Sequence, residues 1–250
     1  MKIKTIIVSQ PEPKSEKSPF FDLIDKHNLK IDFRPFIQVE GVSSKEFRQQ
    51  RIDILEHTAV IFTSRTAIDH FFRMCEEMRI AVPEAMKYFC ITEAIALYLQ
   101  KYIVYRKRKI FFGEGNFAQL MDVITKHKTE KFMVPLSDAH KAEIPKLLNK
   151  AKVKYTKAIL YRTVCCDLSD LQDVNYDIIV FYSPSGIKSL FKNFPEFEQN
   201  STKIAVFGPT TAKAAKSNNL RVDIQVPTPA CPSMTQALDD FIKEHNKKNK

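Results

Sequence analysis

The chain has 250 residues, 44% of them hydrophobic, and a formal net charge of +10, which is ample apolar material for one large or two small cores; its length favours two domains. No apolar run approaches the roughly 20 residues of a membrane span, and the apolar part of the first nine residues is too short for a signal peptide. Five cysteines, an odd number with neighbours Cys165-Cys166 and no CxxC pair, suit neither a disulfide framework nor a zinc site and point to a reducing cytosol.

The charge is local. Arg106-Lys107-Arg108-Lys109 supplies +4 and the tail 243–250, with four lysines against Glu244, supplies +3, so only +3 is spread over the rest. No helix-turn-helix, zinc-finger or aromatic ribonucleoprotein signature accompanies these runs, which read as solvated surface and not as a nucleic-acid footprint. A small polyanionic ligand would use the same surplus.

In chain order, residues 3–8 read as a strand, 20–27 as a short helix, 31–39 as an extended stretch containing Pro35, and 45–56 as an amphipathic helix. Strands near 59–63, 88–91, 109–112, 131–134 and 153–162 then alternate with helices near 67–78, 93–100, 117–127 and 141–149. After Asp167 the pattern restarts, with strands at 178–181, 204–207 and 222–226 and helices at 184–191, 210–217 and 232–243. Short apolar strands alternating with helices give an α/β fold with parallel sheets flanked by helices.

Two of the five glycines sit in paired turns, Ser183-Pro184-Ser185-Gly186 and Gly208-Pro209-Thr210-Thr211-Ala212, each directly after a buried-strand pattern. Serine or glycine at the cap and proline at the first helical position mark helix starts. Two such starts at adjacent strand ends would aim N–H groups and hydroxyls into one crevice, where anions bind well. Residues 60–72 align without gaps on 179–191, with phenylalanine, serine, isoleucine and phenylalanine recurring in register. Ile91-Thr92-Glu93-Ala94-Ile95-Ala96 falls where Phe207-Gly208-Pro209-Thr210-Thr211-Ala212 falls, but has lost the glycine and the last hydroxyl. The two halves are therefore expected to contribute unequally to a site.

Phe62-Thr63-Ser64, Ile159-Leu160-Tyr161-Arg162-Thr163, Phe181-Tyr182-Ser183-Pro184-Ser185-Gly186 and Phe207-Gly208-Pro209-Thr210-Thr211-Ala212, taken together in this order and spacing, resemble the uroporphyrinogen-III synthases. The resemblance implies two similar α/β domains, one of residues 1–36 and 168–250 and the other of 43–155, joined by extended connectors at 37–42 and 156–167. It also implies a monomeric, cytoplasmic lyase without metal or cofactor. Its polyanionic substrate would be hydroxymethylbilane, with hand-over from porphobilinogen deaminase as a possible partner step. That linear tetrapyrrole is closed into a ring with inversion of the last pyrrole and loss of water, through an azafulvene and a spiro intermediate. Such a reaction asks mainly for conformational control and secondarily for a proton donor to the departing hydroxyl.

Carried residue by residue, the resemblance makes Tyr161 the candidate acid, since an ordinary phenol is protonated at neutral pH. Thr63, Ser64, Ser183, Ser185, Gly186, Gly208, Thr210 and Thr211 become candidates for holding substrate, with Thr210 and Thr211 expected to be exposed in a first helical turn. Ser183 has a structural reading beside the functional one, as a helix cap worth about 1 kcal/mol. Gly113-Glu114-Gly115-Asn116-Phe117-Ala118 satisfies GxGxxA but lacks a well-placed acidic residue about 20 positions onward, so it reads as chance. The six histidines show no ligand spacing and read as surface or packing residues. Other classes are a catalytically silent tetrapyrrole-binding or regulatory module of the same fold, which the residues lost at Thr92 and Ile95 keep open, and a basic nucleic-acid binder.

Overall fold

The computed structural model describes residues 2–140, 142–172 and 175–248. The first residue of the expected helix at 141–149 and the last two of the basic tail lie outside these. The chain runs β1 (Thr5–Val8), α1 (Pro19–His27), β2 (Lys30–Phe33), β3 (Ile37–Gly41), α2 (Ser44–Gln49), β4 (Ala59–Phe62) and α3 (Arg65–Glu77). It continues through β5 (Lys87–Cys90), α4 (Glu93–Tyr98), β6 (Ile110–Phe112), α5 (Phe117–Thr125), β7 (Phe132–Ser137), α6 (Glu143–Lys150) and β8 (Tyr155–Cys165). Last come β9 (Ile178–Phe181), α7 (Pro184–Asn193), β10 (Lys203–Phe207), α8 (Pro209–Ser217), β11 (Ile224–Val226) and α9 (Met234–Lys248). Two compact units result, one of Met1–Gln38 with Val164–Lys250 and one of Val39–Thr163.

The first unit holds a five-stranded sheet in the order β11-β10-β9-β1-β2, parallel throughout. The second holds six strands in the order β3-β8-β7-β4-β5-β6, with the pairs β4–β5, β4–β7, β5–β6 and β7–β8 parallel. Strands of this kind are covered on both faces, and the side-chain period of two divides them accordingly. Val60 and Phe62 of β4 enter one core cluster while Ala59 and Ile61 enter another. On β9, Ile178 and Val180 face one cluster and Ile179 and Phe181 the other. That is why these runs are apolar at every position. Helix α3 buries Ala67, Ile68, Phe71, Met74 and Cys75, the spacing of one helical stripe.

Two departures from the sequence reading have local causes. The stretch at 31–39 is two strands, β2 in the first sheet and β3 in the second, separated by a break that contains Pro35, whose ring removes a backbone donor. The helix expected at 45–56 stops early: Ser43 and Glu46 form a reciprocal capping box that starts α2, but Arg51 adopts φ 54° and ends the run. Asp53 then opens a separate 3₁₀ turn at Ile54–Glu56.

In the first unit, α1 and α9 are joined by a charge cluster in which Asp239 accepts from Lys26 (2.9 Å) and Lys243 (2.6 Å) and lies 2.6 Å from His27 Nε2. Burial opposes the charge of Asp239, but hydrogen bonds from Lys243, Lys26 and His27 outweigh it and hold the carboxyl below the ordinary aspartate range. A depressed carboxylate pKa contributes stability that is complete above the unfolded value, about 3.9, and is lost as pH falls through the folded value. Asp239→Asn is expected to lose about 0.5–1 kcal/mol at neutral pH, the scale of partly exposed ion pairs, and to lose less on acidification than the parent. Urea unfolding between about pH 6 and pH 2 measures this; parallel curves for the two proteins would refute it.

Candidate active site

In the first unit, β9 and β10 are in register with Phe181 opposite Val206, so the turns at Ser183 and Gly208 leave neighbouring strand ends. The strand order reverses beside them, between β1 and β9, and such reversals are where open α/β sheets bind ligands. Ser183 Oγ accepts from the Gly186 N–H at 3.2 Å, capping α7, with Pro184 in its first turn. Gly186 is buried and its N–H is engaged by that cap, while Ser185 is half-buried. Tyr182 stacks on Phe207 with centroids 5.6 Å apart, and burial pushes its phenol up to about 12.

Gly208 opens α8 with φ 88° and ψ 151°, a backbone region open essentially to glycine alone. A Cβ there would meet nothing within 4 Å, so conformation and not space demands the glycine. Gly208→Ala is expected to cost about 1–3 kcal/mol, seen as a lower urea midpoint at unchanged slope. An unchanged midpoint would mean that the turn relaxes freely. Thr210 is exposed, but Thr211 is only 1% exposed. The expectation that both hydroxyls are exposed is thus corrected: Thr211 turns inward beside Ala212 and Ala215, also buried on the inner stripe of α8.

In the second unit the strand order reverses between β4 and β7. Ser64 leaves β4 and caps α3, its Oγ accepting from the Ala67 N–H at 3.1 Å, while Thr63 beside it is half-buried. Tyr161 comes to Ser64 from β8 through a bulge: Leu136 pairs with Ile159 but Ser137 with Tyr161. A bulge of this kind re-aims a side chain next to a site. The Tyr161 and Ser64 hydroxyls lie 3.5 Å apart, with either able to donate. Burial raises the phenol pKa of Tyr161 and the Ser64 contact only partly offsets it.

Two further residues complete this group: His70, which the sequence reading gives a surface or packing role, and Arg73, which it does not single out. His70 of α3 stacks on Tyr161 with centroids 5.1 Å apart and planes inclined by 16°. Arg73 Nε donates to His70 Nδ1 at 3.1 Å, and its Nη2 donates to the Val42 carbonyl at 2.8 Å. The guanidinium also pairs with Glu77 and lies over Gly41, where a Cβ would come within 2.6 Å of it. The available signal was spacing: His70 and Arg73 share a face three residues apart, starting two turns after the Ser64 cap. Arg162, next to Tyr161, donates to Glu46 at 2.5 Å, and this bond with those from Ser43 holds the Glu46 carboxyl at about 2. Among the described residues no group of three or more histidines, cysteines and carboxylates is placed to hold a metal ion, and no helix is long and apolar enough to cross a membrane.

The fold is that of known structures. A uroporphyrinogen-III synthetase from Helicobacter pylori matches with a TM-score of 0.58 at 14% identity, over 96% of this chain and 99% of that one. A mutant uroporphyrinogen III synthase from the extremely thermophilic bacterium Thermus thermophilus matches with a TM-score of 0.55 at 13% identity, over 98% and 99%. No curated protein matches the sequence. The family model described as uroporphyrinogen-III synthase HemD matches residues 19–236, most of the chain. The chain belongs to the uroporphyrinogen-III synthase family, whose members are cyclising hydro-lyases that close hydroxymethylbilane into uroporphyrinogen III.

Proposed function

We propose that Tyr161 is the proton donor of this cyclisation and that substrate is held by Thr63 and Ser64 in one unit and by Ser183, Ser185, Gly186, Gly208, Thr210 and Thr211 in the other. In this reading the functional domains are residues 1–36 with 168–250 and residues 43–155, linked by 37–42 and 156–167. The protein works as a cytoplasmic monomer that receives its bilane from porphobilinogen deaminase.

The carrying observation is the setting of Tyr161. Its phenol is delivered by a strand bulge, met by the Ser64 hydroxyl, stacked by His70 and shifted upward by burial. Such a group keeps its proton at neutral pH and can release it to a hydroxyl that leaves as water. The azafulvene so formed is attacked by the substituted carbon of the last pyrrole, and holding that ring in the otherwise disfavoured approach is the larger part of the task. The Gly186 N–H is engaged by the Ser183 cap and Thr211 is buried, so these two hold substrate through the shape of their turns, while Ser185 and Thr210 offer it accessible hydroxyls.

Protein added to freshly made hydroxymethylbilane is expected to move the product from the type I to the type III isomer, without metal or nucleotide. Isomer separation reads the outcome. Binding without any change in isomer ratio would identify a silent module, and affinity for nucleic acid falling steeply with salt would identify a binder of another class.

A further inference from the structure

We infer that His70 is a positioning residue that holds the Tyr161 ring for proton donation, with Arg73 fixing the imidazole in turn. The inference rests on Tyr161 being the donor. Tyr161 is only half-buried, and among the described residues of this unit its hydroxyl has one hydrogen-bond partner, Ser64 at the 3.5 Å limit. That contact restrains the hydroxyl weakly, and the ring itself packs on the core of the unit only in part, since it is half-buried. The flat face of His70 adds a second wall, near-parallel to the phenol ring at 5.1 Å, that opposes both flipping and swinging of the ring.

The imidazole is itself clamped. Arg73 Nε–H donates to Nδ1, so Nδ1 is the acceptor and the proton of the neutral ring resides on Nε2. Arg73 cannot easily move, since it also holds Glu77 and the Val42 carbonyl and lies over Gly41. Burial first, and the Arg73 cation second, lower the His70 pKa, while Asp69 and Glu77 on the same helix pull the other way. The ring in contact with Tyr161 is accordingly neutral at physiological pH. Restraint through a neutral ring leaves the proton affinity of the phenol to burial and Ser64, so His70 acts on geometry.

The test compares His70→Ala, His70→Phe and His70→Asn with Tyr161→Phe, each checked for folding by circular dichroism. Turnover to the type III isomer is measured, and ring-flip rates of Tyr161 are read by nuclear magnetic resonance with ¹³C-labelled tyrosine. His70→Ala and His70→Asn are expected to lower kcat by about ten- to a hundredfold with little change in KM, and to speed the ring flips. His70→Phe, which keeps a flat ring but loses the Nδ1 bond from Arg73, is expected to recover part of both readouts and to lie nearer the parent than His70→Ala does. A His70→Phe protein no better than His70→Ala, or full kcat and unchanged flips in His70→Ala while Tyr161→Phe is slow, would overturn the positioning role alone. Full turnover in Tyr161→Phe would instead remove the donor, and the positioning role with it, even where the flips respond to His70.

Discussion

Tyr161→Phe should lower turnover by ~10²–10⁴ while leaving the fold nearly intact. The substitution keeps the ring that stacks on His70 and packs against the core of the second unit, and removes only the O–H. What it deletes structurally is one long contact with Ser64, whose other bond, from the Ala67 N–H, still caps α3. The pH dependence follows from the same burial. A phenol raised above its ordinary value of about 10 stays protonated throughout the neutral range, so loss of the donor proton should not limit the parent enzyme below about pH 10. A fall at the lower end of the range would mean that water or a substrate carboxylate replaces part of the proton transfer. Ser183→Ala removes the cap on Gly186 and should raise KM more than it lowers kcat. If Tyr161→Phe kept full turnover across pH while Ser183→Ala did not, catalysis here would be a matter of holding the substrate alone.

The parts of this molecule most legible in the sequence are those written by local rules. Ser64 and Ser183 recur in register in the aligned segments 60–72 and 179–191, and both cap the helix that follows a buried strand, each accepting from the N–H three residues on. The aligned strands β4 and β9 also occupy corresponding places, with β5 and β10 as their neighbours. Gly208 was legible for the same reason, because its conformation admits little else. What the sequence could not show depends on register or tertiary packing. The bulge that brings Tyr161 opposite Ser137 leaves no composition signal, and the inward turn of Thr211 depends on how α8 packs. His70 carries no motif because its role is read only against a strand about 90 residues away in the chain. Even α2 ended early through a single left-handed residue, Arg51, which apolar periodicity does not anticipate.

Phe62→Ala should destabilise the second unit by about 3–5 kcal/mol, the range for removing a buried aromatic ring. Phe62 is fully buried, meets Phe71 of α3 edge-on at 5.5 Å and stacks on Tyr88 of β5 at 6.2 Å, so one truncation opens a void against both layers. Against a typical domain stability of about 5–15 kcal/mol, that loss leaves little reserve. It is also aimed at the site, because Thr63 and Ser64 follow Phe62 directly and α3, which carries His70 and Arg73, packs on its ring. With two units the unfolding need not be two-state, so hydrogen exchange of the β4, β5 and β7 amides is a better measure than a single denaturation curve. Exchange there should rise by ~10²–10⁴ while β9 and β10 of the first unit stay protected, given about 1.4 kcal/mol for each tenfold change. Phe112→Ala on β6 is the control, since that ring is 39% exposed and its removal should cost far less. Equal effects of the two substitutions would mean that the second unit is not held together around Phe62, and turnover lost without faster exchange would point to Phe62 acting on the substrate through Thr63 and Ser64 rather than through stability.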